Sequence, residues 1–362
     1  MDQPKFAVIG TGGMAAAMMR TFSQANVPVL AVSSRDAQRR RQFAKAFNIP
    51  PTDDDLAALL RRSDIEAVYI ANRNVDHAST TIAALEAGKA VLCEKPLATS
   101  AAECEQVAQV ARKTGNLCVE AIWTLFLPAY RRFLELARTN ACGEPIHLYS
   151  AFGYPVGRDA SPQLLSRRGG GVLLDRAVYL IALSVKLFGP AATVDAQLDV
   201  TEEGVDHRAA LQLRHMGGGH SQISVSFTSL LSNIAVAACS KGTIQLNEPL
   251  IGSESVLQRH AADDQMGVQS PSRSSVRQRV TRSLREIPLL RRLKRMLPNS
   301  HCEYHSYGTN PYLAQMEHFL TLVQGRARES DVVPLELSLE IQRIIDWSRA
   351  GYQSRADKGF GS

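Results

Sequence analysis

The stretch Phe6-Ala7-Val8-Ile9-Gly10-Thr11-Gly12-Gly13-Met14-Ala15 decides the fold. Its first four residues are apolar, as expected for a strand that a parallel sheet buries on both faces. Gly10 permits a tight turn, Gly12 lets a phosphate approach backbone N–H groups, and Ala15 permits close packing of a helix on the strand. The stretch therefore predicts a βα unit that binds a dinucleotide. The residues expected to contact the cofactor here are Gly10, Thr11, Gly12, Gly13 and Met14.

The following hundred or so residues repeat this alternation of strand and helix. Four more strands are predicted, over Val27–Ser33, Glu66–Ala71, Ala90–Cys93 and Leu117–Ala121. Helices are predicted over Met14–Phe22, through Phe47 from an N-cap at Asp36, over Asp76–Ala87, and through Lys113 from an N-cap at Ser100. Strands that alternate with helices pair in parallel with right-handed crossovers, so residues 1–121 are predicted to form an α/β Rossmann domain.

The remainder of the chain predicts a different architecture. Six strands with short turns are expected, over Ile146–Phe152, Thr193–Leu198, His207–Arg214, His220–Ser226, Asn233–Cys239 and Thr243–Asn247. A strongly apolar stretch predicts a helix over Gly171–Phe188. Residues 122–362 are therefore predicted to form an α+β domain with a large open, mainly antiparallel sheet, interrupted by a basic insertion at about residues 253–300.

The end of the second predicted strand indicates which nicotinamide cofactor binds. NAD enzymes usually carry an acidic residue about 20 residues after the glycines, where it binds the ribose hydroxyls. This chain has Ser33-Ser34-Arg35 instead, and hydroxyl and guanidinium groups bind a 2′-phosphate that a carboxylate would repel. We expect NADP rather than NAD, in contact with Ser33, Ser34 and Arg35. The alternative is that Arg35 is a solvated loop residue.

Three later motifs place this chain in a known group of proteins. They are Val68–Asn74 followed by His77, Glu94-Lys95-Pro96, and Gly169–Asp175 followed by Tyr179. With them, the chain resembles the glucose–fructose oxidoreductase/inositol dehydrogenase (Gfo/Idh/MocA) family over nearly its whole length. Val119–Thr124 and Leu127–Ala129 look most like the branch of dihydrodiol dehydrogenases and NADP-dependent D-xylose dehydrogenases.

The resemblance implies roles for residues around the reactive ring of the cofactor. Lys95 faces the nicotinamide and the substrate in this family, and a cis peptide bond before Pro96 aims it. The resemblance also implies that Glu94 contacts the cofactor and that its ribose is lined by Ala71, Asn72, Asn74 and His77. The alternative for His77 is that it caps its own helix.

Hydride transfer also needs a group that donates or accepts a proton at the substrate oxygen. We expect Lys95 to do so, with a pKa lowered by burial and by the oxidised ring. Asp175 and Tyr179 are four residues apart on a predicted helix and therefore share a face. Asp175 is expected to bind substrate hydroxyls or Lys95, and Tyr179 to act as a second acid/base group. The alternatives are a structural Asp175–Arg176 pair and a core tyrosine.

Some residues depart from the family pattern and bear on the substrate. Arg73 replaces a common proline, Leu125 stands where the branch usually has arginine, and Arg176-Ala177 replaces an apolar residue and a glycine. Trp123 and Arg176 are expected to contact the substrate. The loss of one arginine and the gain of another would change the charge at the pocket mouth. A nucleotide-linked or acidic sugar is therefore a candidate substrate beside free xylose.

Composition excludes several classes of protein. The net charge is +6, but the stretch 273–295 holds eight arginines, one lysine and one glutamate, which leaves the rest of the chain at −2. Nucleic-acid binding is therefore not expected. The longest apolar stretch, Ala177–Leu183, is too short to span a membrane. The six scattered cysteines indicate reduced thiols. His301–His305 is assigned to a polar loop, and no metal site is expected.

The basic insertion leaves alternatives open. Apolar residues at helical spacing over residues 276–297 predict an amphipathic helix with Arg and Lys on its other face. This helix could cover the open sheet, contact a membrane surface or anionic partner, or bind the phosphate of a nucleotide-linked substrate.

Together these features predict a cytoplasmic NADP-dependent oxidoreductase that acts on a sugar or polyol and forms a homodimer or tetramer. The alternatives are a non-catalytic NADP-binding sensor or scaffold, and a peripheral membrane enzyme that acts on glycan precursors.

Overall fold

The structure is a computed structural model that describes residues 3–51, 55–157, 162–261 and 300–356. The amphipathic helix predicted over residues 276–297 lies outside the described residues, and so do the contacts expected of it.

A five-stranded parallel sheet forms the first part of the molecule, as predicted. Its strands are β1 (Phe6–Ile9), β2 (Val29–Ser33), β3 (Ala67–Ile70), β4 (Ala90–Cys93) and β5 (Cys118–Glu120). The strand order is β2-β1-β3-β4-β5, with every neighbouring pair parallel. All four residues of β1 and of β3 are buried, which explains their continuous apolar sequence. The carboxyl ends of the strands share one edge of the sheet.

Helices cover both faces of this parallel sheet. They are α1 (Gly13–Gln24), α2 (Ala37–Ala46), α3 (Leu56–Arg61), α4 (Asn74–Glu86) and α5 (Ala101–Thr114). Both predicted caps are present: Asp36 accepts a hydrogen bond from the Arg39 amide at 3.0 Å, and Ser100 accepts one from the Glu103 amide at 3.3 Å. The short helix α3 was not predicted.

The second sheet has eight strands in the order β13-β12-β11-β10-β6-β9-β8-β7. They are β6 (Pro145–Gly153), β7 (Ala191–Val200), β8 (Asp206–His215), β9 (His220–Ser226), β10 (Ala235–Cys239), β11 (Gly242–Leu246), β12 (Ser255–His260) and β13 (Ser300–Tyr304). Neighbours are antiparallel except β6 and β9. The sheet is mainly antiparallel, as predicted. The stretch assigned to a polar loop contributes β13, and that assignment was wrong.

The remaining helices connect the two sheets and cover the inner face of the second. They are α6 (Pro128–Arg138), a π-helical turn (Leu173–Ala177), α7 (Val178–Phe188), α8 (Leu313–Gln324) and α9 (Leu335–Ala356). Leu335 and Leu339 of α9 pack into a core formed on the parallel sheet. Ile341 and Ile344 pack into a second core, to which residues of both sheets contribute. Helix α9 therefore joins both cores. Among the described residues, no helix combines the length and the apolar composition that crossing a membrane requires.

Candidate functional site

The glycine loop after β1 has the geometry of a phosphate cradle. Gly10 has a φ of +118°, and a Cβ there would lie 2.3 Å from the Ala71 carbonyl oxygen, so a side chain does not fit. A Cβ on Gly12 or Gly13 would meet nothing within 4 Å. Gly12 is the N-cap of α1, and no side chain caps its first N–H groups. These N–H groups border open space, which fits the pyrophosphate of a dinucleotide.

The end of β2 brings two of its three predicted residues to this loop. The Thr11 hydroxyl donates to the Ser34 hydroxyl at 3.3 Å. Arg35 lies beside them with its side chain 70% exposed, and its Nη2 is 3.0 Å from Asp76 Oδ2 on α4. Ser33 differs from the expectation: its side chain is buried in the sheet, and its carbonyl oxygen accepts from the Gly10 amide at 2.9 Å. Ser33 shapes the loop through its backbone.

The loop after β3 connects the glycine loop to the second part of the molecule. The Ala71 amide donates to the Ile9 carbonyl oxygen at 2.8 Å, which holds this loop against the end of β1. Asn72 Nδ2 donates to the Thr80 hydroxyl at 2.9 Å, while its buried Oδ1 has no partner among the described residues. Asn74 Nδ2 donates to the Gly169 carbonyl oxygen at 2.7 Å. An amide oxygen left unpaired is available to a ligand donor.

His77 is buried between two loops, and it does not cap its helix. It is 1% exposed, with Nδ1 2.7 Å from the Pro96 carbonyl oxygen and Nε2 3.3 Å from the Asn72 carbonyl oxygen. Because carbonyl oxygens only accept, a neutral ring donates to one of them, and the shorter distance favours Nδ1–H. Burial lowers the pKa of His77. The residue ties the loop after β3 to the loop after β4.

Glu94 and Lys95 follow β4 directly, and their side chains bind different partners. Glu94 is buried, and its Oε1 accepts from the Tyr69 hydroxyl at 2.5 Å. Burial raises the pKa of Glu94 to about 7. Its side chain therefore faces the core, whereas the sequence analysis expected it to contact the cofactor. The Lys95–Pro96 peptide bond is cis, as the resemblance implied.

Lys95 meets Asp175 at the π-helical turn. Its Nζ donates to Asp175 Oδ1 and to the Asp175 carbonyl oxygen, both at 2.7 Å, and lies 5.0 Å from the centre of the Tyr179 ring. Burial by itself lowers the pKa of Lys95, but the Asp175 carboxylate, with Tyr179 and Glu94, outweighs burial and raises that pKa above its ordinary value. The expected lowered pKa is wrong for this arrangement, because Asp175 stabilises the charged amine.

Aromatic side chains close the other side of Lys95. Trp123 Nε1 donates to the Tyr179 hydroxyl at 3.1 Å, and the Trp123 ring packs edge-on against Tyr179 and Tyr312. Burial raises the pKa of Tyr179, so at neutral pH its hydroxyl keeps its proton. Tyr312, at the N-cap of α8, was missed from the sequence. Its only signal was an aromatic residue in the turn Asn310-Pro311-Tyr312 before a helix.

Arg176 lies behind Asp175 instead of at a pocket mouth. Its side chain is 0% exposed, and its Nε is 3.9 Å from Asp175 Oδ2. Leu125, another departure from the family pattern, is 1% exposed in the core. Neither side chain can change the charge of an open pocket mouth. The contact of Arg176 with substrate that the sequence predicted is therefore not supported by its position.

A cavity of about 350 Å³ lies beside this cluster without including it. Arg167, Arg168 and Arg349 line it, together with Leu174, which precedes Asp175 in the chain. Lys95 and the glycine loop are not part of its wall. The line from the glycine loop to Lys95, along the carboxyl ends of the parallel strands, is the expected place for a dinucleotide, and we take it as the candidate site.

Two family models match the chain. Residues 4–121 match the oxidoreductase family with an NAD-binding Rossmann fold, and residues 130–245 match the GFO/IDH/MocA C-terminal domain. Among solved structures, a 3-ketoreductase from Actinomadura kijaniata in complex with NADP and TDP-benzene shares the fold, with a TM-score of 0.76 and 22% identity over 97% of this chain and 98% of that chain.

Two similar relatives are mammalian enzymes. The trans-1,2-dihydrobenzene-1,2-diol dehydrogenase of Mus musculus is 32% identical over 222 residues, which are 61% of this chain and 66% of that enzyme. The enzyme of the same name from Bos taurus is 32% identical over 234 residues, which are 64% of this chain and 70% of that enzyme.

Proposed function

The chain belongs to the Gfo/Idh/MocA family of NAD(P)-dependent oxidoreductases, and we propose that it transfers hydride between NADP and a hydroxyl or carbonyl group of a sugar, polyol or related diol. The observation that carries this proposal is the contact of Lys95 with Asp175 and Tyr179 at the carboxyl end of β4, in line with the glycine loop. This cluster is the feature that favours an enzyme over a non-catalytic cofactor-binding protein.

The cofactor preference rests on the residues beside the glycine loop. The N–H groups at the start of α1 would hold the pyrophosphate, while Ser34 and Arg35 would hold the 2′-phosphate. The ion pair of Arg35 with Asp76 joins an exposed arginine to a half-buried aspartate and is therefore weakened by solvent. A phosphate dianion can take over the guanidinium from this carboxylate, so the pair is compatible with NADP.

The proton is handled by Lys95. NADP(H), when bound, supplies or accepts the hydride. In the direction of reduction, protonated Lys95 donates a proton to the substrate oxygen, and the contact with Asp175 maintains that protonated form. In the direction of oxidation, Lys95 must first release Asp175 so that its amine can accept the hydroxyl proton. The Tyr179 hydroxyl, held by Trp123, hydrogen-bonds a substrate oxygen.

The substrate class follows from the groups around Lys95. Asp175 accepts hydrogen bonds and Tyr179 can donate one, which suits neighbouring hydroxyl groups. The mammalian relatives are named for a trans-diol, and sugars and polyols present similar pairs of hydroxyls. We therefore propose vicinal diols, cyclic or sugar-like, as the substrates to examine.

A homodimer or tetramer is proposed from the outer face of the eight-stranded sheet. Ile146 and Tyr149 of β6 are 41% and 43% exposed on a sheet whose inner face is the one that the helices of residues 3–261 and 300–356 cover. Exposed apolar residues on a broad sheet favour association. A mass obtained by light scattering that equals one chain would contradict this proposal.

Binding and turnover test the function in sequence. The purified protein is titrated with NADPH and with NADH by fluorescence, and trans-dihydrodiols, aldoses and polyols are then assayed with NADP⁺ and the matching ketones with NADPH. Tighter binding of NADPH and turnover of a diol or ketone support the proposal. Preference for NADH contradicts the cofactor assignment. Binding of NADPH without turnover of any substrate contradicts the assignment of the protein as an enzyme and favours a role as a sensor.

A further inference from the structure

Arg176 is a buried cation that the packing holds in one orientation. Its Nη1 donates to the Tyr154 carbonyl oxygen at 2.9 Å and to the Ser226 carbonyl oxygen. Its guanidinium lies 3.8 Å from the centre of the Tyr154 ring and 4.7 Å from that of Phe227. Two carbonyl oxygens and stacked aromatic rings leave the group little freedom to move.

One of the remaining donors of Arg176, Nε, lies near Asp175. Nε and Nη2 are buried without a hydrogen-bond partner among the described residues. The Nε–Oδ2 distance of 3.9 Å is within the range of an ion pair but too long for a hydrogen bond. A buried guanidinium with unpaired donors is costly, so this position is unusual for a residue without a role.

Asp175 thus stands between two cations. Lys95 Nζ is 2.7 Å from Oδ1, and Arg176 Nε is 3.9 Å from Oδ2. Two cations at one carboxylate repel each other, so each is held less strongly than a single partner would be. Rotation of the Asp175 side chain toward Nε would form the missing hydrogen bond and lengthen the contact with Lys95.

We propose that Arg176 is a positioning residue that competes with Lys95 for Asp175 and so allows Lys95 to separate from Asp175 during turnover. Its consequence for catalysis rests on the function proposed above, whereas the competition itself is a property of the free protein. The departure of Arg176 from the family pattern would then be a feature of proton transfer in this chain, not a substrate contact.

The sign of the effect on Lys95 follows from all the groups that face it. The acidic and phenolic groups are Asp175, Glu94, Glu120, Tyr179 and Tyr312, and the basic group is His77. Arg176 acts on Lys95 through Asp175. Replacement of Arg176 by a neutral residue frees Asp175 for Lys95. This change raises the pKa of Lys95 and reduces its neutral fraction at any given pH.

The test measures the neutral fraction of Lys95 without using activity. Trace acetic anhydride at fixed alkaline pH acetylates neutral amines, and mass spectrometry compares Lys95 with exposed Lys113 as the internal standard. The variants are Arg176→Met, close in volume and without unpaired donors, and Arg176→Lys, which retains the charge. Arg349→Met is the matched control, because Arg349 holds Asp206, which supports Leu173 of the same π-helical turn.

The proposal expects acetylation of Lys95 to fall by about threefold or more in R176M, equivalent to about half a pH unit. R176K is expected to restore most of the acetylation of Lys95, and R349M to leave that acetylation unchanged. Combined with Asp175→Asn, R176M should have no further effect. An unchanged rate in R176M, or an equal decrease in the Asp175→Asn background, overturns the proposal.

Activity supplies the second readout and separates the two proposals. The limb of the rate–pH profile that belongs to Lys95 should move to higher pH in R176M, whereas a merely structural role would lower the rate at every pH. If the protein turns over no substrate, the proposed function fails while the acetylation result still decides the role of Arg176.

Discussion

At the scale of the residue, the contact of Lys95 with Asp175 shows what the sequence could and could not predict. Asp175 was expected to bind either substrate hydroxyls or Lys95, and its Oδ1 lies 2.7 Å from Lys95 Nζ. The direction of the Lys95 pKa shift was predicted wrongly, since Asp175, Tyr179 and Glu94 together outweigh burial. The orientations of Ser33, His77 and Arg176 were also missed, because a sequence does not show toward which side a loop or π-turn residue faces.

The ion pair of Arg35 and Asp76 leads to a prediction about the choice between NADPH and NADH. Arg35→Ala should weaken NADPH binding by about tenfold or more and NADH binding by less than about twofold, because the lost charge-assisted bonds go to the 2′-phosphate. Asp76→Asn should tighten NADPH binding, because it removes a carboxylate that pairs with Arg35. Fluorescence titration measures both.

Arg39→Ala is the matched control for Arg35, since Arg39 is an exposed arginine on the next turn that pairs with Asp36. It should leave both affinities within about twofold. An equal loss of NADPH and NADH affinity in Arg35→Ala would contradict the role of Arg35 as the phosphate reader.

The raised pKa of Glu94 predicts that the stability of the protein depends on pH. Burial raises its pKa from 4.5 to about 7 in the folded protein, so the folded state binds a proton that the unfolded state releases. The contribution of Glu94 to stability is therefore present below pH 4.5 and is lost as the pH rises toward about 7. Glu94→Gln should remove this loss.

Denaturant unfolding of both proteins at several pH values measures this difference. The E94Q protein should gain stability relative to the wild type as the pH rises from about 4.5 to 7. A constant difference over that range would show that Glu94 does not titrate there.

At the scale of the element, the pattern of strands and helices was predictable where local signals were strong. Buried apolar strands, capping residues and glycine stops located β1 to β5 and four of the helices around them. Helix α3 has only six residues, too few for periodicity to reveal it. Strands β12 and β13 flank residues 262–299, and each pairs with a strand distant in the sequence, so only the folded sheet identifies them.

The loop between β1 and α1 makes a prediction that separates folding from binding. Gly10→Ala should lower the free energy of unfolding by about 1–3 kcal/mol, because alanine is strained at a φ of +118° and its Cβ would collide with Ala71. Gly13→Ala should keep or increase stability, because alanine favours the helix by about 1 kcal/mol and meets no atom.

The affinity for NADPH shows whether Gly13 is also needed for cofactor binding. The methyl group in Gly13→Ala occupies space at the start of α1, so NADPH binding should weaken although the protein is stable. Urea unfolding and NADPH titration of both variants measure the two effects. Normal NADPH affinity in Gly13→Ala would mean that the pyrophosphate lies elsewhere.

At the scale of the whole molecule, α9 joins the two sheets into one cooperative unit. It packs into both cores, and its Asp346 accepts a hydrogen bond from the Ala101 amide of α5 at 2.8 Å. We expect one thermal unfolding transition, and NADPH at a hundred times its Kd should stabilise it by about 2.7 kcal/mol. Calorimetry that resolves two transitions, with NADPH moving only one, would contradict this prediction.

The measurement that tests the central claim most directly is the rate of NADPH oxidation or NADP⁺ reduction by Lys95→Met, with the best substrate of the wild type. The account predicts a loss of at least about a hundredfold in turnover, while NADPH affinity stays within about twofold of the wild type. A K95M protein that binds NADPH and turns over at the wild-type rate would contradict the assignment of Lys95 as the group that moves the proton.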